Sequence, residues 1–106
     1  MLTFHDNLII KDFTSSVRNK IGSKLKKIIL FGSRARGDAW EGSDYDIAVI
    51  VDYRDRQIES DVLDAAVAIL DEYDVLISAQ IFDEKEWESE SELPLGLIIL
   101  REGIIV

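Results

Sequence analysis

The run "YDIAVIVDY" (residues 45–53) constrains the fold more than any other stretch of this chain. Apolar and β-branched residues follow one another almost without a polar break, the pattern of a strand buried in the middle of a sheet. "KIILF" (27–31), stopped by Gly32, reads as a second buried strand, and "DVLISAQIF" (74–82) as a third. Around them lie helical stripes. Ile9, Phe13, Val17 and Ile21 recur every four residues from Leu8 to Ile21, and Gly22 is a natural stop. In "DRQIESDVLDAAVAILDEY" (55–73) the stripe is Ile58, Val62, Ala65/Ala66, Ile69 and Tyr73, with an acidic opposite face. Asp83 is placed to cap the short helix "EKEWESE". Pro94 separates that helix from "LGLIILRE", which Gly103 closes, and "IIV" adds an edge strand or extends into a partner. The order α-β-loop-β-α-β-α-α predicts an α/β (α+β) fold, a small sheet of mixed direction flanked by helices.

At 106 residues, with no repeats or linkers, the chain is expected to form a single domain over 1–106. It has no cysteine, so disulfides and thiolate metal sites are excluded. The start, "MLTFHDNLIIKDF", does not read as a signal peptide, and no apolar run approaches the roughly eighteen residues of a membrane span. The expectation is a cytoplasmic protein without a membrane partner. A net charge of −9 argues against broad, direct nucleic-acid binding. The charge is unevenly spread. Residues 1–37 hold eight of the twelve basic residues and only Asp6 and Asp12 as acids, a balance of +6, and residues 38–106 balance at −15. Two readings stand: ordinary solubilising surface, or a basic wall for a polyphosphate and an acidic face for a basic partner.

Asp44 and Asp46 enter the central run with one residue between them. Alternation puts them on one face, with Cα atoms about 6.6 Å apart. Two carboxylates so placed suit Mg²⁺, which takes its other ligands from water and substrate phosphates. They serve equally as turn and strand-entry residues at a solvated edge. Ten residues before Asp44 begins, the first strand passes into Gly32-Ser33-Arg34-Ala35-Arg36-Gly37. Gly32 allows a ligand close to the backbone, and Ser33 offers a hydroxyl and an N–H at a helix start, where phosphate is favoured. Of Arg34 and Arg36, one is expected to point to a triphosphate and the other to solvent or to Asp38/Glu41. The plainer alternative is a glycine turn with a helix cap.

Gly32-Ser33, ten residues and Asp44-x-Asp46 together resemble the signature of the DNA polymerase β-like nucleotidyltransferase superfamily. "FGSRARGDAWEGSDYDIAVIV" is similar to its smallest members, the minimal nucleotidyltransferase (MNT) proteins, and the "REG" ending fits them too. The resemblance implies a polymerase β-like palm fold and transfer of AMP from ATP. It implies that Gly32 and Ser33 bind the phosphates with Arg34 and Arg36 nearby, that Ser43 orients the loop, and that Asp44 and Asp46 hold catalytic Mg²⁺. A third carboxylate of the family would fall at Gln80, or at Ser78, and neither is acidic; Asp74 shares the parity of Gln80 but lies too early in the strand. By the same resemblance the partner is a HEPN-domain toxin, bound in a hetero-oligomer and modified on a hydroxyl, with this chain as its antitoxin. An antitoxin that neutralises by binding alone is the alternative, and a small-molecule transferase a third. His5 reads as a surface residue, Trp40 as packing on a helix or stacking on a base, and Trp87 as packing or interface.

Overall fold

A computed structural model describes residues 2–106. The first helix, α1 (Phe4–Ile21), starts four residues before the apolar stripe predicts. Its start is fixed by a capping box: the Thr3 hydroxyl accepts from the Asp6 N–H at 2.9 Å, and the Asp6 carboxylate accepts from the Thr3 N–H at 3.1 Å. After a short 3₁₀ turn come β1 (Leu25–Phe31), the one-turn helix α2 (Gly32–Arg36) and, beyond a loop, β2 (Tyr45–Val51). Helix α3 (Arg56–Tyr73) is capped by Asp55, whose carboxylate accepts from the Ile58 N–H. Asp74 closes α3 in the left-handed region (φ 56°), donating its N–H to the Leu70 carbonyl. It therefore belongs to the helix cap and not to the third strand, where alternation had counted it. That strand, β3 (Ile77–Asp83), ends at Asp83, which caps α4 (Glu84–Glu90). Pro94 opens α5 (Pro94–Glu102) at its first turn, and Ile104–Ile105 form β4.

The sheet order is β3-β2-β1-β4, so the apolar run is central as its composition requires. Strands β1 and β2 are antiparallel, with Leu30 opposite Ile47 and Phe31 opposite Asp46. Helix α3 makes the crossover to β3, which runs parallel to β2. Strand β4 pairs antiparallel with β1 at the other edge. One face of the sheet (Ile28, Leu30, Ile47, Val49, Val51) packs on Phe13 and Val17 of α1 and Ile58, Val62 and Ile69 of α3. Each such side chain contributes about 1.5–3 kcal/mol on burial, and this face carries the larger core. The other face (Ile29, Phe31, Ala48, Ile50) is covered by Ile99 of α5, with Phe82, Trp87 and Leu95 at its margin. That thinner cover stops short of the start of β2, where Asp46 is only half-buried.

Candidate functional site

The site grows from the junction of β1 and α2. Gly32 takes φ +75°, which turns the chain out of the strand, and its missing Cβ leaves room for another group. That group is Asp46. A Cβ on Gly32 would overlap the Asp46 Oδ2, so the carboxylate rests against the glycine backbone with Ser33 next in the chain. Pairing of Phe31 with Asp46 sets this contact. Asp44 lies two residues earlier, exposed, just outside the strand. Gly32, Ser33, Asp44 and Asp46 thus come together at one end of the β1–β2 pair.

The intervening loop is held by Arg34. Its guanidinium donates to the Ser43 carbonyl from Nε (3.2 Å) and Nη2 (2.8 Å), to the Glu41 carbonyl (3.2 Å) and to Asp6 (3.4 Å). It also stacks over the Tyr45 ring at 4.4 Å. In this structure Arg34, expected beside the phosphates, holds the loop on the α1 side of the sheet through these acceptors. The Ser43 hydroxyl accepts from the Trp40 N–H, and its own N–H donates to the Trp40 carbonyl. The Tyr45 hydroxyl donates to Asp6 at 2.5 Å. Burial pushes the Asp6 carboxyl up, but the bonds from Tyr45 and Thr3 and the Arg34 charge outweigh it, leaving its pKa lowered. Asp44 is therefore set between two anchored neighbours, Ser43 and Tyr45. A cavity of about 290 Å³ beside Asp6, Arg34 and Tyr73 lies behind this arginine.

Arg36 behaves differently. It donates from Nε to Asp38 (3.1 Å) and from Nη1 to both Glu102 oxygens (3.1 and 3.0 Å). The expectation that one arginine would meet Asp38 or Glu41 is met by both, Arg34 through the Glu41 carbonyl. Glu102 was not singled out in the sequence. A carboxylate in the last turn of a helix opposes the helix dipole, and that local conflict is the signal that would have pointed to a distant cation.

The register of β3 places both residues considered for the third carboxylate, Gln80 and Ser78. Ser78 lies directly beside Asp46, while Gln80 pairs with Ala48, one step further into the sheet. The strand begins at Ile77 and not at Asp74, which moved the expected alignment. Trp40 is 73% exposed and its ring covers Gly42, so it packs on the loop and not on a helix. Trp87 packs on Phe82, and His5 meets Tyr73 edge-on at the cavity beside Asp6.

The sequence profile described as "Polymerase beta, Nucleotidyltransferase" matches residues 13–92. The chain belongs to the polymerase β nucleotidyltransferase family. This nucleotidyltransferase is 35% identical over 98 residues to a Methanocaldococcus jannaschii protein named "Putative protein adenylyltransferase", covering 92% of this chain and 93% of the relative. Among solved structures it is similar to a toxin–antitoxin complex with AMP-PNP, at 26% identity and a TM-score of 0.63, covering 90% of this chain and 69% of that one. The fold is also that of a Shewanella oneidensis MNT antitoxin in complex with a tri-AMPylated HEPN toxin (24% identity, TM-score 0.58, 93% and 69% covered). No helix of the described residues is long and apolar enough to cross a membrane.

The aspartates of this nucleotidyltransferase fit a hard divalent cation. Burial, then the charge of Asp44, pushes the Asp46 carboxyl up, Arg36 draws it down and Glu102 raises it; no hydrogen bond is among these influences. A carboxylate held half-buried beside another, without a donor, is a group that a cation would relieve. Among the described residues no cluster of three or more His, Cys, Asp or Glu could hold a metal ion alone. An ion bound by Asp44 and Asp46 would take its remaining ligands from water and phosphate, as Mg²⁺ does.

Proposed function

We propose that the chain is an Mg²⁺-dependent protein adenylyltransferase that moves AMP from ATP to a tyrosine hydroxyl of a HEPN-domain toxin, acting as its antitoxin in a hetero-oligomer. The observation that carries the reading is the seating of Asp46 against Gly32, with Ser33 and Asp44 on either side. Gly32 and Ser33 offer backbone N–H groups and a hydroxyl to the β- and γ-phosphates. Asp44 and Asp46 face the α-phosphate from the strand side. When bound, Mg²⁺ supplies charge neutralisation at the α-phosphate and the departing pyrophosphate. The rest is orientation: Arg34 fixes the loop, and the sheet fixes the distance between its two ends. The acceptor oxygen attacks the α-phosphorus as its proton passes to solvent, the bond to the bridging oxygen breaks, and pyrophosphate leaves. The protein acceptor is supported by the relative named for protein adenylyl transfer and by the −15 balance of residues 38–106, which suits a basic partner.

A second reading has its own observation. Ser78 beside Asp46 brings no third carboxylate, which favours an antitoxin that neutralises by binding alone. Mass spectrometry of a HEPN-type partner incubated with this chain, Mg²⁺ and ATP separates the two. A gain in AMP units, absent with Asp44→Ala/Asp46→Ala, supports transfer. A tight complex with no mass gain supports binding alone.

A further inference from the structure

Arg36 is a cation at the site tied to the far end of the chain, through Glu102 on α5. Asp46 rests against Gly32, and residue 36 follows one turn later on the same side of α2. The Arg36 side chain therefore rises beside the aspartate. Two carboxylates fix it. Asp38 takes Nε, and Glu102 takes Nη1 through both of its oxygens. Among the described residues Nη2 donates to no protein acceptor, which leaves one edge of the guanidinium open, and the side chain is 42% exposed.

Glu102 is itself placed by its neighbours on α5 and β4. Ile99, one turn earlier on α5, is fully buried against the sheet. Gly103 follows, and a Cβ there would overlap both the Ile99 carbonyl and the Ile29 side chain, so the chain presses on β1 at this point. Pairing of Ile104 and Ile105 with Leu30 and Ile29 then fastens it. Glu102 leaves the helix between a buried residue and a glycine wedged on β1, the strand that leads into Gly32. Its side chain is only 20% exposed.

We propose that Glu102 is a positioning residue of the nucleotide site, holding the Arg36 guanidinium beside Asp46 with its free edge turned to the phosphates of a nucleoside triphosphate. A free arginine would lose rotamer freedom on meeting a phosphate; one already clamped by two carboxylates has lost it on folding. The role is not that of a third metal ligand, because no three-carboxylate cluster forms among the described residues. Glu102 acts through Arg36. This inference rests on the reading of the site as one for a nucleoside triphosphate.

Four proteins test it: wild type, Glu102→Ala, Arg36→Ala and the double variant, each titrated with Mg²⁺-ATP and with adenosine, and each melted. Glu102→Ala is expected to weaken ATP about tenfold, roughly 1.4 kcal/mol, with adenosine affinity and melting temperature unchanged. The double variant should bind ATP no more weakly than Arg36→Ala alone, since both remove one interaction. If Glu102→Ala unfolds, Glu102→Gln, which keeps the size and one acceptor, carries the test with a smaller loss in ATP affinity alone. Additive losses, equal losses for adenosine, or ATP affinity unchanged or tightened in the glutamate variants overturn the proposal while wild-type ATP binding leaves the site reading standing. A wild type that binds no ATP overturns both.

Discussion

Asp46 occupies the space that a side chain at position 32 would need, so the glycine and the aspartate are a single structural unit. The glycine's φ of +75° and the carboxylate's position against it arise at the same turn. Gly32→Ala is therefore expected to do two things at once. It strains the backbone by about 1–3 kcal/mol, and it drives the Asp46 carboxylate off its seat. Urea unfolding would register the first effect, and loss of Mg²⁺-dependent ATP binding the second. Binding retained at wild-type strength would show that the carboxylate tolerates displacement.

Asp46→Asn should stabilise the metal-free protein while abolishing its function. Burial and the neighbouring carboxylates raise the folded-state pKa of Asp46 above its unfolded value. The folded state then binds more protons, so stability is highest when the group is protonated and falls as pH rises into and through the carboxylate range. At neutral pH the ionised aspartate is a net cost. Half-burial and solvent screening limit the gain from its removal to about 1 kcal/mol, a rise of roughly 4–8 °C in melting temperature. The difference from wild type should close as pH drops below the carboxylate range.

Asp6 has the opposite sign. Its lowered folded pKa contributes stability that is present above the unfolded carboxylate pKa and lost as pH falls through the folded value. Asp6→Ala removes the acceptor of the Tyr45 hydroxyl, of the Thr3 N–H and of Arg34. The cost should be about 2–4 kcal/mol at neutral pH. Denaturant titrations across pH would show a shallower acid limb in the variant; parallel curves would remove Asp6 from the acid response.

Arg34→Lys tests the loop. A lysine cannot serve two carbonyls and a carboxylate from one planar fork. Stability should fall by about 1–2 kcal/mol, and amides of residues 40–45 should exchange faster with solvent. ATP binding should drop further than stability, because Asp44 is placed by its anchored neighbours. Unchanged exchange across the loop would argue that Tyr45 alone holds it.

Periodicity made the scaffold legible. The central run, the 55–73 stripe, the Asp83 cap and the Pro94 break all appear where alternation and helix signals put them. The start of α1 was hidden because Thr3 and Asp6 precede the apolar stripe and act through caps. Asp74 was miscounted because an acidic residue in the left-handed region looks like any strand-entry residue. The pairing of Asp44 and Asp46 with Gly32 and Ser33 was legible from spacing, whereas the direction of Arg34 was not. Side-chain direction depends on which carbonyls the loop presents, and a residue pattern does not record that. Glu102 carried a signal, an acid in the last turn of a helix, but its partner 66 residues away was not legible from that.

That separation ties a local fluctuation to recognition. Helix α5 has only two turns or so, and its Leu97 and Leu100 are about half exposed, so its hold on the sheet rests on Ile99, Leu95 and the β4 pair. Short elements with few buried contacts open more readily than a central strand. Each opening of α5 carries Glu102 away and leaves Arg36 held by Asp38 alone while Gly32 and Asp46 stay in register. Amide exchange at α5 would then count the moments when Arg36 has lost one of its two carboxylates, and a molecule that clamps the helix would quiet a side chain it never touches.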